Sequence, residues 1–353
     1  MPLTTRFGVE EEFLLLDAAT LVPVSARALH DVVLGDAPEG GRLTAEFLTS
    51  QTEAATEPVP SRGRAQVQLS GMRRMLARHA PVGTIVAGIG SPFAVAGPMH
   101  ISTSPHYDDV SDLIGRLAAE HAVNGLHVHV EVFGDEERVR ALRRVREALP
   151  VLLALSVNSP FAGGLPAGLA SWRSMLIRRL PVSWGPPAFE DADGYHRAVE
   201  RLLDAGALPA RSSVSWAARL SAQYDTIEVR VADAQLDVED TLLQAALTRA
   251  IVVADDDDPA VTPAEELDAS LWLAARHGMR ARLLRADGPA EPAWAAVERM
   301  LSRIRPALDE LGDAEFVTDR LARLRTEGTG SERQLRAHRE SGTAGLASLV
   351  EVR

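Results

Sequence analysis

The chain of 353 residues contains no cysteine, and its 37 basic Lys and Arg positions are all arginine, so lysine is missing too. Without cysteine there is no disulfide framework, zinc ribbon, iron–sulfur cluster or thiol nucleophile. Without lysine there is no P-loop lysine, kinase lysine or pyridoxal Schiff base. An Ala- and Arg-rich composition can lose both residues through coding bias, so these zeros bound the mechanism without revealing one. Positive charge is also short: the formal net charge is -12 and the arginines are dispersed. That argues against a nucleic-acid partner, whose affinity comes mainly from clustered cations. Long apolar runs are absent as well. No stretch approaches the ~18 uncharged apolar residues needed to span a bilayer, and Met1 to Glu12 reaches acidic residues before any apolar signal region. A soluble cytoplasmic protein is expected. The mix of 46% hydrophobic and 24% charged residues is that of an ordinary globular chain, long enough to bury a sizeable core.

Arg6 to Asp17 combines Phe, Val and Leu with acids, and Thr44 to Thr56 follows a turn at Gly40 and Gly41; both read as strands. Arg62 to His79 has helical spacing and Val82 to Ala87 is β-branched, giving helix then strand. That order returns as helix Asp108 to Val123 with strand Gly125 to Val132, and as helix Gly194 to Ala205 with strand Thr226 to Val231. Strands buried on both faces of a parallel sheet read as continuous apolar runs, and these do not. His127, His129 and Glu131 alternate with Val128, Val130 and Val132; Glu228 and Arg230 alternate with Ile227, Val229 and Val231. The pattern predicts an α+β fold: an antiparallel sheet with one polar catalytic face, backed by helices. The acidic run Asp255 to Asp258, followed by Pro259 and Pro263, reads as a linker candidate or a solvated loop. One catalytic domain is expected, with a sheet-bearing core over 1–254. A helical portion over 259–353 would be built from Ala264 to His277, Trp294 to Leu311 and Ser331 to Val350.

Glu10, Glu11 and Glu12 stand together in an apolar strand, where period-two geometry sends Glu10 and Glu12 to one face and Glu11 to the other. Two carboxylates buried on one face need a cation or proton in compensation, and a divalent metal supplies it; a solvent-facing edge strand is the simpler alternative. Glu46 and Glu53 follow seven residues apart, with Gln51 on the face of Glu53. His127 and His129 point to one side of their strand, a common way to present imidazoles to a metal or phosphate. Glu228 and Arg230 offer a carboxylate for a cation and a guanidinium for a carboxylate or phosphate, or else an ion pair. Together the four segments are oxygen-rich, which points to Mg²⁺ or Mn²⁺ rather than zinc. Hard metals with arginines and no thiol or lysine suit nucleotide-dependent phosphoryl transfer.

In order along the chain, GVEEEF (8–13), Glu46 and Glu53 with SQTE, GLHVHV (125–130) and TIEVRVADAQ (226–235) resemble the bacterial glutamate–cysteine ligase type 2 (carboxylate–amine ligase) family. NSPF (158–161), ASWRS (170–174), ARHGMRARLL (275–284) and GTGSERQ (328–334) extend the likeness over nearly the whole chain. The resemblance implies a glutamine-synthetase-like fold in which ATP phosphorylates a γ-carboxylate and an amino-acid amine displaces phosphate. By it, Glu12, Glu46 and Glu53 would hold one Mg²⁺, and Glu10, His127 and Glu228 a second. His129 would sit near the nucleotide phosphates, Arg230 would steady the phosphoryl group, and Arg173 would contact phosphate or substrate. The implied partners are small-molecule amino acids, with a homodimer as the expected assembly. The chain departs from the family at Ser91 in GIGSPF, at Glu131, and after NSPF at Ala162, Leu165 and Pro166. These departures suggest an altered substrate more than an altered reaction. A metal-dependent amidohydrolase built on His127 and His129 would need more histidines and a lysine, and a degenerate, non-catalytic nucleotide or amino-acid binder is the remaining alternative.

Overall fold

The eleven-residue strand β1 (Phe7–Asp17) is central, and its alternation sorts three environments. Phe7, Val9, Phe13 and Leu15 enter the main hydrophobic core, and Leu14 and Leu16 a second, smaller one. Gly8, Glu10 and Glu12 are left for the open face. This computed structural model describes residues 5–255 and 260–353. Of the acidic run read as a linker, only Asp255 falls among the described residues.

The main sheet adds β2 (Gly35–Asp36), β3 (Arg42–Ala45), β4 (Gln51–Ala55), β5 (Thr84–Ala87) and β6 (Gly125–Glu131). After the two-residue pairs β7 (Phe161–Ala162) with β8 (Leu165–Pro166), and β9 (Ser183–Trp184) with β10 (Ser215–Trp216), it is completed by β11 (Ala218–Leu220) and β12 (Thr226–Asp233). Its order is β11-β12-β6-β1-β4-β3-β2, with β5 beside the later half of β1. Every pairing in it is antiparallel. The register sets Glu10 opposite His127, Glu12 opposite Glu53 and Glu228 opposite His129.

The helices are α1 (Arg27–Val33), α2 (Arg62–His79), α3 (Pro105–Ile114), α4 (Asp135–Ser156), α5 (Trp172–Ile177), α6 (Ala192–Asp204), α7 (Val238–Val253), α8 (Ala264–His277), α9 (Ala293–Leu311), α10 (Ala314–Glu327) and α11 (Gly330–Val350). Helix α4 packs on β11 and β12, and α7 on α2 and α4. One cluster of buried residues extends from Phe7 to Val352 and includes Leu271, Val297 and Leu321, so the C-terminal helices share the core beneath the sheet. Among the described residues no helix is long and apolar enough to cross a membrane.

Three expectations are corrected. The strand expected over Thr44 to Thr56 is broken into β3 and β4, because the Gln51 side chain accepts the Leu48 N–H at 2.9 Å and closes a turn that carries Glu46 off the ladder. The helix expected over Asp108 to Val123 is α3 followed by a 3₁₀ segment, Gly115–Glu120. The portion beyond 259 is not all helix. It holds a hairpin, β13 (Arg282–Arg285) with β14 (Gly288–Pro292), and the additional helix α10.

Candidate active site

Over the open face of the sheet lies a cavity of about 220 Å³. Its polar floor is Glu12, Glu46, His127, Arg173, Arg219 and Arg230, and its apolar wall includes Val110, Leu113 and Ile114 of α3. Beside it, His127 Nδ1 is 3.1 Å from Glu10 Oε2, and its Nε2 is 3.8 Å from Glu12 Oε1. His129 Nε2 is 3.3 Å from Glu10 Oε1 and 4.0 Å from Glu228 Oε2, while its Nδ1 is 3.0 Å from Thr226 Oγ1. One ligand atom each from Glu10, His129 and Glu228 lie within 4.8 Å of one another. His127, also expected in that set, lies against the other oxygen of Glu10 and turns its Nε2 toward Glu12.

Glu12 accepts the Gly125 N–H at 2.6 Å, Glu46 accepts the Tyr107 hydroxyl at 3.2 Å, and Glu53 accepts the Thr44 hydroxyl at 3.3 Å. Gly125 has to be glycine here: a Cβ would stand 2.6 Å from a guanidinium nitrogen of Arg173 and 2.8 Å from His127 Nε2. Glu228 receives the Arg219 fork at 2.8 and 3.1 Å and also pairs with Arg230. Between Val229 and Ala232 strand β12 bulges. The carbonyls of Arg230 and Val231 there accept from Arg173 at 3.1 and 3.4 Å.

Burial and like charge dominate the electrostatics. Burial, with the Glu46 charge, pushes Glu12 up to about 8, and burial with the surrounding carboxylates holds Glu53 well above the usual range. Burial also raises Glu46. Burial opposes ionisation of Glu10 and Glu228 too. Hydrogen bonds from His127 and His129 nevertheless hold Glu10 far below the usual range, and Arg230 and Arg219 do the same for Glu228. Burial with Arg230 pushes His127 down to about 4; His129 is raised, as hydrogen bonding to Glu10 and the Glu228 charge outweigh its desolvation. So the Glu12, Glu46 and Glu53 side is short of positive charge, and its all-oxygen donor set fits a hard divalent cation. Glu10 and Glu228 with an imidazole could hold a second.

Glu10, Glu12, Glu46, Glu53, His127, His129, Glu228, Arg173 and Arg230 are thus gathered on one side of the sheet. Glu11 points to the other side as expected, buried against Arg73. Sequence reasoning missed Arg219, Tyr107 and His121. Arg219 is found only through its register opposite Glu228, and the other two because α3 and its 3₁₀ extension fold over the cavity. The departures Ser91, Glu131, Ala162, Leu165 and Pro166 do not line the cavity. Glu131 pairs with Arg6 at 3.4 Å at the far end of β6.

His121, on the cavity wall, is pushed from 6.5 to about 4, by burial first and then by Arg179 and Arg173. The unfolded chain therefore binds this proton first, and the stability His121 contributes is lost as pH falls from 6.5 through about 4. His121→Gln should lose less stability than the native chain between pH 7 and 4, by on the order of 3 kcal/mol. Urea unfolding across that range measures it.

Residues 6–352 match the glutamate-cysteine ligase family 2. A Saccharopolyspora erythraea protein named "Putative glutamate--cysteine ligase 2-2" is 39% identical, the alignment covering 97% of this chain and 90% of that protein. A protein of the same name from Mycobacterium sp. (strain KMS) is 39% identical over 95% of this chain and 94% of its own. Among solved structures, a glutamate–cysteine ligase from Francisella tularensis in complex with AMP superposes with a TM-score of 0.77 at 14% identity, over 98% of this chain and 87% of that one. A bifunctional glutathione synthetase from Pasteurella multocida gives 0.68 at 16% identity, over 98% of this chain and 52% of that one. At such identities the structural likeness speaks for the fold; the sequence match fixes the family. The chain belongs to the glutamate–cysteine ligase family 2 and is an ATP-dependent carboxylate–amine ligase of that type.

Proposed function

We propose that this enzyme joins the γ-carboxylate of glutamate to the amine of an amino acid, cysteine being the simplest acceptor, through an acyl phosphate. A carboxylate oxygen attacks the γ-phosphorus of ATP and the bond to ADP breaks. The amine nitrogen then attacks the acyl carbon, the bond to phosphate breaks, and the amine gives up a proton. The observation that carries this reading is the grouping of Glu10, Glu12, Glu46, Glu53 and Glu228 with two imidazoles and three arginines on one sheet face.

In this reading Glu12, Glu46 and Glu53 would hold one Mg²⁺ or Mn²⁺, and Glu10, Glu228 and an imidazole, His129 lying within 4.0 Å of both, would hold a second. Such ions, when bound, neutralise the transferring and leaving oxygens. His127 keeps Glu10 and Glu12 oriented, and His129 faces the nucleotide side. Arg230 steadies the phosphoryl group in flight. Arg173 supports Arg230 from below and adds positive charge beside the acid substrate. ATP use agrees with a cytoplasmic enzyme, and a homodimer belongs to the same proposal.

Mass spectrometry of an amino-acid pool incubated with the enzyme, ATP and Mg²⁺ tests the reaction. A γ-glutamyl amide formed with one ADP per amide is the expected result. Amide formation from another acid would replace glutamate, and no ADP release with any acid and amine would reject the reading.

A further inference from the structure

Three stretches outside the carboxylate cluster, NSPF, ASWRS and GTGSERQ, are joined directly or through Asn158 to one buried carboxylate, Asp233, which has no exposed surface. Asp233 Oδ2 accepts the Asn158 N–H at 2.8 Å and the Ser159 hydroxyl at 2.7 Å; Oδ1 accepts the Ser171 hydroxyl at 2.8 Å. The NSPF stretch is thereby tied to the end of β12. Ser159 Oγ in turn accepts the Arg173 N–H at 3.1 Å, and Ser171 Oγ accepts the Ser174 N–H at 3.2 Å as the N-cap of α5. The ASWRS stretch thus hangs from the same carboxylate. From the C-terminal stretch GTGSERQ, Gln334 Nε2 donates to the carbonyl and side-chain oxygens of Asn158 at 2.8 and 2.7 Å. Gly330 comes so near that a Cβ would lie 2.1 Å from Asn158 Oδ1. Gly90 closes the other side, where a Cβ would lie 2.5 Å from Asp233 Cγ.

The purpose of this hub is visible in what it holds. Arg173 is buried, its guanidinium lies 3.9 Å from Asp233 Oδ1, and it donates to the carbonyls of Arg230 and Val231 in the bulge of β12. A bulge gives up ladder bonds, here on the β6 side, while the Arg230 N–H is still held by the Ala217 carbonyl of the preceding segment at 2.8 Å. Here two carbonyls are pinned by one guanidinium, whose aim is set at both ends by Asp233. We propose that Asp233 is a positioning residue: through Arg173 it fixes the bulge that points Arg230 into the active-site cavity. The inference rests on the ligase reading, in which Arg230 stabilises the transferring phosphoryl group.

Asp233→Asn is nearly isosteric. The Ser171 hydroxyl can turn to accept from the new amide, so the hub persists, but the charge facing Arg173 is gone. With glutamate and ATP varied separately, kcat should fall about tenfold while the KM for ATP stays within about twofold, because a hydrogen-bonded charge is lost only behind the phosphoryl-stabilising group. The deciding comparison is with Arg230→Ala. If Asp233 acts through Arg230, adding Asp233→Asn to that variant should change kcat by less than about twofold. An equal drop in both backgrounds, or native kcat in Asp233→Asn, overturns the proposal and leaves the ligase reading intact. Native activity in Arg230→Ala alone would remove Arg230 from the reaction and overturn the proposal, whereas a native enzyme that releases no ADP with any acid and amine would overturn the ligase reading. Ser159→Ala, which loosens the mount without touching charge, gives a second route if Asp233→Asn does not fold. It should lower kcat about threefold in the native background and not in Arg230→Ala, and unchanged kcat in both would sink the idea.

Discussion

Arg230→Ala is expected to lower kcat by about 10²–10³-fold, on the order of 2.7–4 kcal/mol, while nucleotide affinity stays nearly unchanged. The protein should remain folded. Glu228, the carboxylate that Arg230 contacts, still receives the Arg219 fork at 2.8 and 3.1 Å, so no buried charge is orphaned. The missing group is the one cation of that trio on a partly open side chain at the cavity, Arg219 being held also by the carbonyls of Ser212 and Val214. Arg230→Lys should not restore the rate, because an ammonium cannot reproduce a planar, two-pronged contact. Steady-state kinetics with ATP and glutamate varied in turn check this. A raised KM for glutamate with kcat preserved would instead make Arg230 a ground-state carboxylate anchor.

Behind the sheet, Arg73→Met should destabilise the fold by about 3–5 kcal/mol. Arg73 and Glu11 are 3% and 1% exposed. Nε of Arg73 donates to Glu11 at 3.0 Å, and its other nitrogens reach the carbonyls of Leu236 and Gln235, each at 3.0 Å. One guanidinium thus binds the strand carrying Glu10 and Glu12 to the segment following the strand that carries Glu228 and Arg230. Removing it leaves the Glu11 carboxylate buried with, among the described residues, the Thr241 hydroxyl as its remaining side-chain donor. Combining Arg73→Met with Glu11→Leu removes that charge and should recover at least ~1 kcal/mol, though the two carbonyls stay unpaired. Denaturant unfolding of the native chain and the two variants separates these effects.

The sheet was legible because its strands carry ionisable residues on one face and valines or leucines on the other, a signal that survives without knowledge of pairing. Glu11 was placed correctly for the same reason. Strand continuity was not legible at Glu46, where a side chain, Gln51, makes the turn and no glycine or proline marks it. Arg219 lies in AARL, a segment with nothing to distinguish it until β11 is set beside β12. The roles of His127 and His129 toward Glu228 depend on register across two strand pairs, which alternation alone leaves open. The β13–β14 hairpin was missed because Arg282–Arg285 continues an Arg- and Leu-rich helical composition, although Asp287, Gly288 and Pro289 mark the turn.

The central claim is that a substrate carboxylate is activated by phosphorylation at this site. Glutamate labelled with ¹⁸O in the γ-carboxylate, incubated with enzyme, ATP, Mg²⁺ and an acceptor amine, tests it directly. An acyl phosphate intermediate requires one labelled oxygen to leave in inorganic phosphate, with ADP as the nucleotide product. Label in AMP, or amide formed with unlabelled phosphate, would contradict it.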